Sequence, residues 1–249
     1  MKNASDHAKR LNNLFKELRK RVEVDSTKPD RDAVQQVIHG FLTWEASHAQ
    51  ADQAQSRMMK SMVDVNDLRV TDPRELVQML GPRYPRVEER ASRLLRTLHA
   101  IYLREHVVSL ARLTDMPKRE AKEYLEGLDG ITPYVAASVV LLCLDGHAMP
   151  VDEQTMHRLK SDGVIDEAAD LATTQGFLEH HIPAAEAIES FYLLRAYVER
   201  PIKVDLPGSS RGTTKRVKST TKKATTKKAS TKKTSTKKSP TKKKPTRRG

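Results

Sequence analysis

Cysteines and long apolar runs are scarce in this 249-residue sequence, and each scarcity excludes a class of protein. The single cysteine, Cys143, excludes an intrachain disulfide and any zinc or iron–sulfur site with several cysteine ligands. No apolar run approaches the roughly 18 residues that cross a bilayer, and the N-terminal segment lacks the hydrophobic stretch of a secretory signal. We therefore expect a cytoplasmic protein that contacts no membrane and carries no metal or other cofactor.

Acidic residues are missing from the C-terminal segment. Residues 207–249 contain thirteen Lys and four Arg but no Asp or Glu. Because the net charge of the whole chain is +13, the other 28 basic and 32 acidic residues leave residues 1–206 mildly acidic. The basic segment has too few apolar residues for their burial to offset the entropy of ordering it. We predict that residues 207–249 form a disordered basic tail.

The tail has the composition of a nucleic-acid contact. A flexible polycation binds phosphates by releasing condensed counterions, and the tail resembles the lysine-rich tails of linker histones in composition. We therefore expect double-stranded DNA as the partner, and a location at the nucleoid, or in the nucleus of a eukaryotic cell. The expected contacts include the repeated lysine pairs Lys222, Lys223, Lys227, Lys228, Lys232 and Lys233. A solubilising tail, or one that binds acidic proteins or lipid headgroups, is the alternative.

The rest of the chain has a helical pattern. Apolar residues recur at three- and four-residue spacing, and the two-residue alternation typical of strands is missing. One regular stripe comprises Val87, Ala91, Leu94, Leu95, Leu98 and Ile101. Similar stripes run through residues 11–18, 34–42 and 187–198. We predict an all-α protein of about ten helices.

A hairpin pattern stands at about residues 117–142. Residues 128–132, LDGIT, are typical of a tight turn between two helices, with Thr132 able to cap the second helix and Pro133 suited to its first turn. Backbone N–H groups at the start of such a helix can hold a DNA phosphate. The residues expected to contact DNA there are Gly130, Ile131 and Thr132.

Three features at fixed spacing carry a resemblance to a known family. Tyr134 follows the hairpin turn, Asp152 lies eighteen residues further on after an apolar residue, and residues 41–47, FLTWEAS, lie upstream. This pattern resembles the helix-hairpin-helix DNA glycosylases of the endonuclease III superfamily, many of which have a lysine at the position of Tyr134. The resemblance spans roughly residues 8–200. It does not include the family's four-cysteine iron–sulfur loop, since the chain has one cysteine.

The resemblance implies an all-α, two-lobed helix-hairpin-helix glycosylase fold. Residues 1–206 would form the endonuclease III-like domain. Its six-helix lobe would span about residues 26–146, and its second lobe would combine residues 1–25 with 147–206. Residues 207–249 would follow as the tail, and we expect a monomer.

The resemblance also implies DNA base-excision repair, in which a damaged or mismatched base is removed. Asp152 would stabilise the positive charge that develops on the sugar and would orient a water. Tyr134 cannot form the Schiff base of the lysine-bearing members, so we expect a monofunctional DNA N-glycosylase without efficient lyase activity. Because a stacked base is inaccessible, the target base must be extruded from the duplex. Trp44 and Glu45 would line the DNA-facing cleft.

Each site residue also has a structural interpretation. Asp152 could be the N-cap of the helix that follows it. Tyr134 and Trp44 could be core aromatics, and Glu45 could be a solvated helix residue. Asp129, Thr132 and Glu45 also stand where the family usually has proline, glycine and glutamine. The second hypothesis is therefore a non-catalytic, DNA-binding or architectural protein with a glycosylase-like fold.

Overall fold

Eleven α-helices make up most of residues 4–204, which are the residues that the computed structural model describes. In chain order the helices are α1 (Ala4–Arg21), α2 (Ala33–Thr43), α3 (His48–Ser61), α4 (Val65–Val70), α5 (Pro73–Leu80), α6 (Val87–Glu105), α7 (Lys118–Glu126), α8 (Pro133–Cys143), α9 (Glu153–Ser161), α10 (Leu171–His181) and α11 (Ala187–Glu199). Residues 4–204 also contain two short 3-10 helices, Ala111–Thr114 and Ala184–Glu186, and no strand. The all-α prediction is confirmed. The predicted tail and its lysines lie outside the described residues.

Side-chain caps fix where many of the helices begin. A carboxylate or hydroxyl oxygen accepts a hydrogen bond from a first-turn backbone amide at Asp32, Ser47, Asp64, Asp72, Thr132, Asp152 and Asp170. These bonds satisfy amides that have no partner inside the helix. Because Thr132 and Asp152 are among the caps, two predicted site residues stand at the N-termini of α8 and α9.

The pair α2 and α8 is almost entirely buried. Gln36 Nε2 donates to Ser138 Oγ at 3.4 Å, and Tyr134 Oη donates to Thr43 Oγ1 at 3.4 Å, so the two helices run antiparallel. They approach most closely at Gly40, where an added Cβ atom would lie 2.9 Å from Ser138 Oγ. The absence of a side chain at Gly40 is what permits this close approach.

The hairpin between α7 and α8 packs its turn against α6. Gly130 has a φ of +84°, and an added Cβ atom there would lie 2.5 Å from the carbonyl oxygen of Arg93. Thr97 Oγ1 donates to the Asp129 carbonyl oxygen at 3.1 Å, and Arg96 donates to both carboxylate oxygens of Asp129, at 2.9 and 2.5 Å. The turn therefore forms with an aspartate in place of the usual proline, and its carboxylate is paired with α6.

Among residues 4–204, none of the helices is both long and apolar enough to cross a bilayer. The same residues belong to one compact unit when the chain is divided by backbone proximity. The boundaries of the two predicted lobes stay a prediction.

Candidate functional site

Asp152 caps α9 with one of its two carboxylate oxygens. Its Oδ1 accepts hydrogen bonds from the Thr155 backbone amide at 2.9 Å and from Thr155 Oγ1 at 2.6 Å. The capping role that the sequence offers for Asp152 is therefore confirmed. Capping leaves only Oδ2 for other contacts.

Oδ2 of Asp152 is held by a buried arginine. It accepts from Arg195 Nη1 at 3.0 Å and from the Glu45 backbone amide at 3.3 Å, and the side chain of Asp152 has no exposed surface. Arg195 also donates to Glu199 Oε1 at 2.9 Å and to the Ala46 carbonyl oxygen. The carboxylate thus accepts four hydrogen bonds in this structure and is faced by a cation.

Tyr134 lies beside this ion pair and is only 2% exposed. Its hydroxyl donates to Thr43 Oγ1, and the guanidinium of Arg195 lies 6.0 Å from the centre of its ring. Burial raises the pKa of the Tyr134 hydroxyl above its ordinary value, although the nearby Arg195 opposes this shift. Tyr134 is therefore a neutral aromatic wall at neutral pH.

Glu45 contradicts the expectation of a solvated helix residue. It lies between α2 and α3 with a φ of +53°, and it is buried. Its Oε1 accepts from the Glu153 backbone amide at 2.7 Å, so it satisfies a second amide at the start of α9. Burial, and then repulsion from Asp152, raise the pKa of the Glu45 carboxyl. The expectation fails because this side chain turns inward to the α9 N-terminus.

Trp44 is buried beneath a group of arginines. It is 7% exposed, and the guanidinium of Arg86 lies 4.6 Å from its ring centre. Arg90, which is completely buried, donates to the carbonyl oxygens of Phe41 and Trp44 at the end of α2. Burial lowers the pKa of Arg90 to about 10. Arg90 therefore fixes the C-terminus of α2, and with it the backbone that leads into Glu45.

The start of α8 forms as the hairpin pattern predicts. Thr132 Oγ1 accepts from the Val135 backbone amide at 3.2 Å, and Pro133 occupies the first turn. Gly130 and Thr132 are buried, and Ile131 is partly buried. Asp129 is exposed, and its pairing with Arg96 lowers the pKa of its carboxyl. The turn thus presents a paired carboxylate at the point where a phosphate is expected.

Two cavities adjoin these residues. The first, which we term the hairpin cavity, has a volume of about 600 Å³, and its lining includes the predicted site residues Trp44, Glu45, Thr132 and Tyr134. The second, which we term the inner cavity, has a volume of about 300 Å³ and lies among α2, α3, α8 and α11. Its lining includes Gln36, His39, Thr43, Ser138, Phe191 and Tyr192. The Tyr134–Thr43 hydrogen bond joins a wall of one cavity to a wall of the other.

The inner cavity has a polar, buried floor and an exposed rim. Gln36 and Ser138 are each 1% exposed, and Asp25 and Asp52 at the rim are exposed. Burial is the main cause that lowers the pKa of His39 to about 4, so this histidine is neutral at neutral pH. The volume of the cavity stands at the lower end of the range, roughly 300–1,000 Å³, that small-molecule sites occupy.

Comparison with solved structures identifies the fold. A trapped covalent complex of endonuclease III with DNA matches with a TM-score of 0.60 at 16% sequence identity, over 79% of this chain and 86% of the other. The chain has the endonuclease III fold. The 8-oxoguanine glycosylase/lyase of Clostridium acetobutylicum, bound to DNA, gives 0.60 at 16% identity over 81% and 72% of the two chains. A thermostable thymine-DNA glycosylase gives 0.56 at 14% identity over 80% and 89%.

The match lies in the structure alone: no protein-family model matches the sequence, and no curated protein is significantly similar to it. On the endonuclease III fold, this chain cannot assemble a four-thiolate cluster site, since Cys143 is its single cysteine. Among residues 4–204, no group of three or more His, Cys, Asp or Glu side chains is arranged to hold a metal ion.

Sequence reasoning missed the polar residues that complete the site. Arg195 holds Asp152, Arg90 holds the end of α2, and Gln36 lies in the floor of the inner cavity. Each is a polar residue on an otherwise apolar helix face, and each is at most 2% exposed. That interruption of an apolar stripe is the signal that could have drawn attention to them.

Proposed function

We propose that this protein is a DNA N-glycosylase of base-excision repair that acts by hydrolysis, without a cofactor and without efficient lyase activity. The observation that carries the proposal is the hydrogen bond by which Tyr134, at the start of α8, joins the walls of the two cavities. Asp152 lies behind the hairpin cavity, which its chain neighbours Val151 and Glu153 line. Solved structures with the same fold include glycosylases bound to DNA, and double-stranded DNA is the proposed substrate.

The inner cavity is the proposed site for the extruded base. A planar base needs an aromatic or apolar face to stack on and polar groups for its edge. Phe191 and Tyr192 supply the first, while Gln36, His39 and Ser138 supply the second. The hairpin turn and the start of α8 would hold the DNA backbone through backbone amides, so Tyr134 would lie between the DNA backbone and the base.

In the proposed reaction, water adds to the sugar carbon as the bond to the base nitrogen breaks, and a proton from the water ends on the departing base. The positive charge that develops on the sugar is stabilised by Asp152. For this, Arg195 must move towards Glu199, to which it already donates, and free Oδ2 of the carboxylate. Tyr134 excludes bulk water and offers no amine that could attack the sugar.

The test is base release from duplexes that carry uracil, T·G mismatches, oxidised pyrimidines, A·8-oxoguanine pairs or alkylated bases, followed by alkaline cleavage of abasic sites. We expect product from at least one duplex, and a loss of about 100-fold or more in rate for Asp152→Asn. Asp170→Asn is the matched control, because Asp170 caps α10 as Asp152 caps α9 but is exposed, whereas Asp152 is buried and paired with Arg195. Borohydride should trap no covalent complex.

A second candidate function has its own supporting observation. Asp152 accepts four hydrogen bonds, one of them from Arg195, as a structural cap would. The positive charge of Arg195 also weakens the ability of this carboxylate to stabilise a sugar cation. A non-catalytic DNA-binding protein would bind a duplex with an extruded base yet release no base from any member of the panel. Asp152→Asn would then leave DNA affinity unchanged, and there would be no rate of base release for the substitution to lower.

A further inference from the structure

The floor of the inner cavity contains a buried hydrogen-bond acceptor without a partner. Gln36 is 1% exposed, and its Oε1 has no hydrogen-bond partner among residues 4–204. A buried polar atom left unpaired costs more free energy than a typical hydrogen bond contributes to stability. Since Gln36 lines the cavity, a bound molecule with an N–H donor is the natural partner for this oxygen.

The neighbouring serine fixes which way the amide of Gln36 faces. Ser138 Oγ donates its one proton to the Val135 carbonyl oxygen at 2.8 Å, so towards Gln36 it can only accept. It accepts from Gln36 Nε2 at 3.4 Å. If the Gln36 amide were reversed, its Oε1 would face Ser138 Oγ, and two acceptors form no hydrogen bond. Oε1 is therefore the atom of Gln36 that is left without a partner.

His39 adds a second acceptor, one helical turn along the same face of α2. Its Nδ1 lies 3.3 Å from Gln55 Oε1, and with the Gln55 amide in this orientation the ring proton is on Nδ1. The other ring nitrogen, Nε2, therefore has a free lone pair, and the ring lines the cavity. Its low pKa keeps the ring uncharged at neutral pH.

We propose that Gln36 and His39 read the edge of the extruded base, and that they select a base with an exocyclic amine over one with a carbonyl at the same position. This inference rests on the proposed function. An amine supplies two hydrogens to the two acceptors, whereas a base with a carbonyl there supplies only its ring N–H to one acceptor and places a carbonyl lone pair against the other. The substrate class is thus an amino-bearing base, of the adenine, cytosine or guanine type, with uracil-like and thymine-like bases excluded.

The test compares duplexes whose target bases differ in the exocyclic group and in the proton on the ring nitrogen beside it. One set has cytosine or uracil at the target position, and the other has adenine or hypoxanthine. The opposite strand always carries the same uncleavable abasic analogue, so no base pair has to be broken when the target base is extruded. A duplex with the analogue in both strands gives the reference affinity. Dissociation constants are measured with the full chain by fluorescence anisotropy, and the contribution of the basic tail is common to all five duplexes.

We expect the cytosine and adenine duplexes to bind about tenfold more tightly than their uracil and hypoxanthine counterparts. Gln36→Met, which keeps the side-chain length, should reduce both ratios towards one. Gln53→Met, at an exposed glutamine of α3, should leave them unchanged. Because the wild-type ratios are informative by themselves, the test does not depend on the stability of the Gln36 variant.

Two results would overturn the inference in distinguishable ways. If all four base-containing duplexes bind more tightly than the reference but amine and carbonyl bind equally, a base is held and Gln36 does not read it. The proposed function then stands without this inference. If none binds more tightly than the reference, no base enters the cavity, and the inference and the proposed base site both fail.

Discussion

At the scale of the residue, the buried His39 links stability to pH. Its pKa is lowered to about 4 from 6.5, so between these values the unfolded chain binds a proton that the folded chain does not. The free energy of unfolding therefore falls as the pH decreases from about 6.5 to about 4, and at pH 7 this contribution is complete. A difference of about 2.5 pKa units corresponds to about 3 kcal/mol.

The measurement for His39 is urea unfolding at a series of pH values from 7 to 4. Carboxylates also lose stabilising contacts in acid. The informative quantity is therefore the loss in free energy of unfolding between pH 7 and pH 4, compared between wild type and His39→Gln. We expect the variant to lose up to about 3 kcal/mol less than wild type over this range. His99→Gln, at an exposed position of α6, is the control. Equal losses in wild type and His39→Gln would contradict the prediction.

At the scale of the element, the hairpin depends on one glycine. Gly130 combines a φ of +84° with an added-Cβ distance of 2.5 Å to the Arg93 carbonyl oxygen. We expect Gly130→Ala to lower the free energy of unfolding by about 2 kcal/mol or more, since backbone strain and overlap add together. The measurement is denaturant unfolding. DNA affinity should fall in the same variant because the α8 N-terminus shifts.

Gly176→Ala provides the contrast. Gly176 lies inside α10, and an added Cβ atom there meets no atom within 4 Å. Alanine should therefore stabilise the chain by roughly 0.5–1 kcal/mol. Equal effects of the two substitutions would show that the hairpin does not need its left-handed glycine.

The helices were predictable from the sequence and the site was predictable only in part. A helix produces a periodic pattern of apolar residues within a short stretch of sequence. The spacing from Tyr134 to Asp152 can likewise be counted directly along the chain. Arg195 and Gln36 approach this region only after α2, α8 and α11 have packed, over separations of 43 and 102 residues. A local pattern contains no information about such contacts. The structural alternative for Glu45, a solvated helix residue, was wrong for the same reason.

At the scale of the whole molecule, charge is divided between a mildly acidic body and a basic C-terminal segment. Removal of residues 207–249 deletes seventeen positive charges. Each phosphate contact contributes about 0.9 to the slope of log affinity against log salt concentration. We expect the truncated chain to bind duplex DNA much more weakly at low salt, with a slope smaller by several units. Anisotropy titrations across a salt series measure both quantities.

A matched truncation control replaces the Lys and Arg residues of 207–249 with Gln and keeps the length of the chain. It should behave as the truncated chain does, because the prediction depends on charge. If either variant kept the slope of the full chain, the phosphate contacts would lie in residues 1–206.

The close approach of α2 and α8 at Gly40 has a consequence for how proteins of this kind could diversify. The distance between the two main chains is limited there by side-chain volume, since an added Cβ atom would already reach Ser138, which lines the inner cavity. Side chains further along the two helices can therefore be exchanged while the spacing of the two main chains at Gly40 is kept. Single substitutions at the cavity-lining positions could therefore change the chemical preference of the inner cavity while the spacing of α2 and α8 stayed constant.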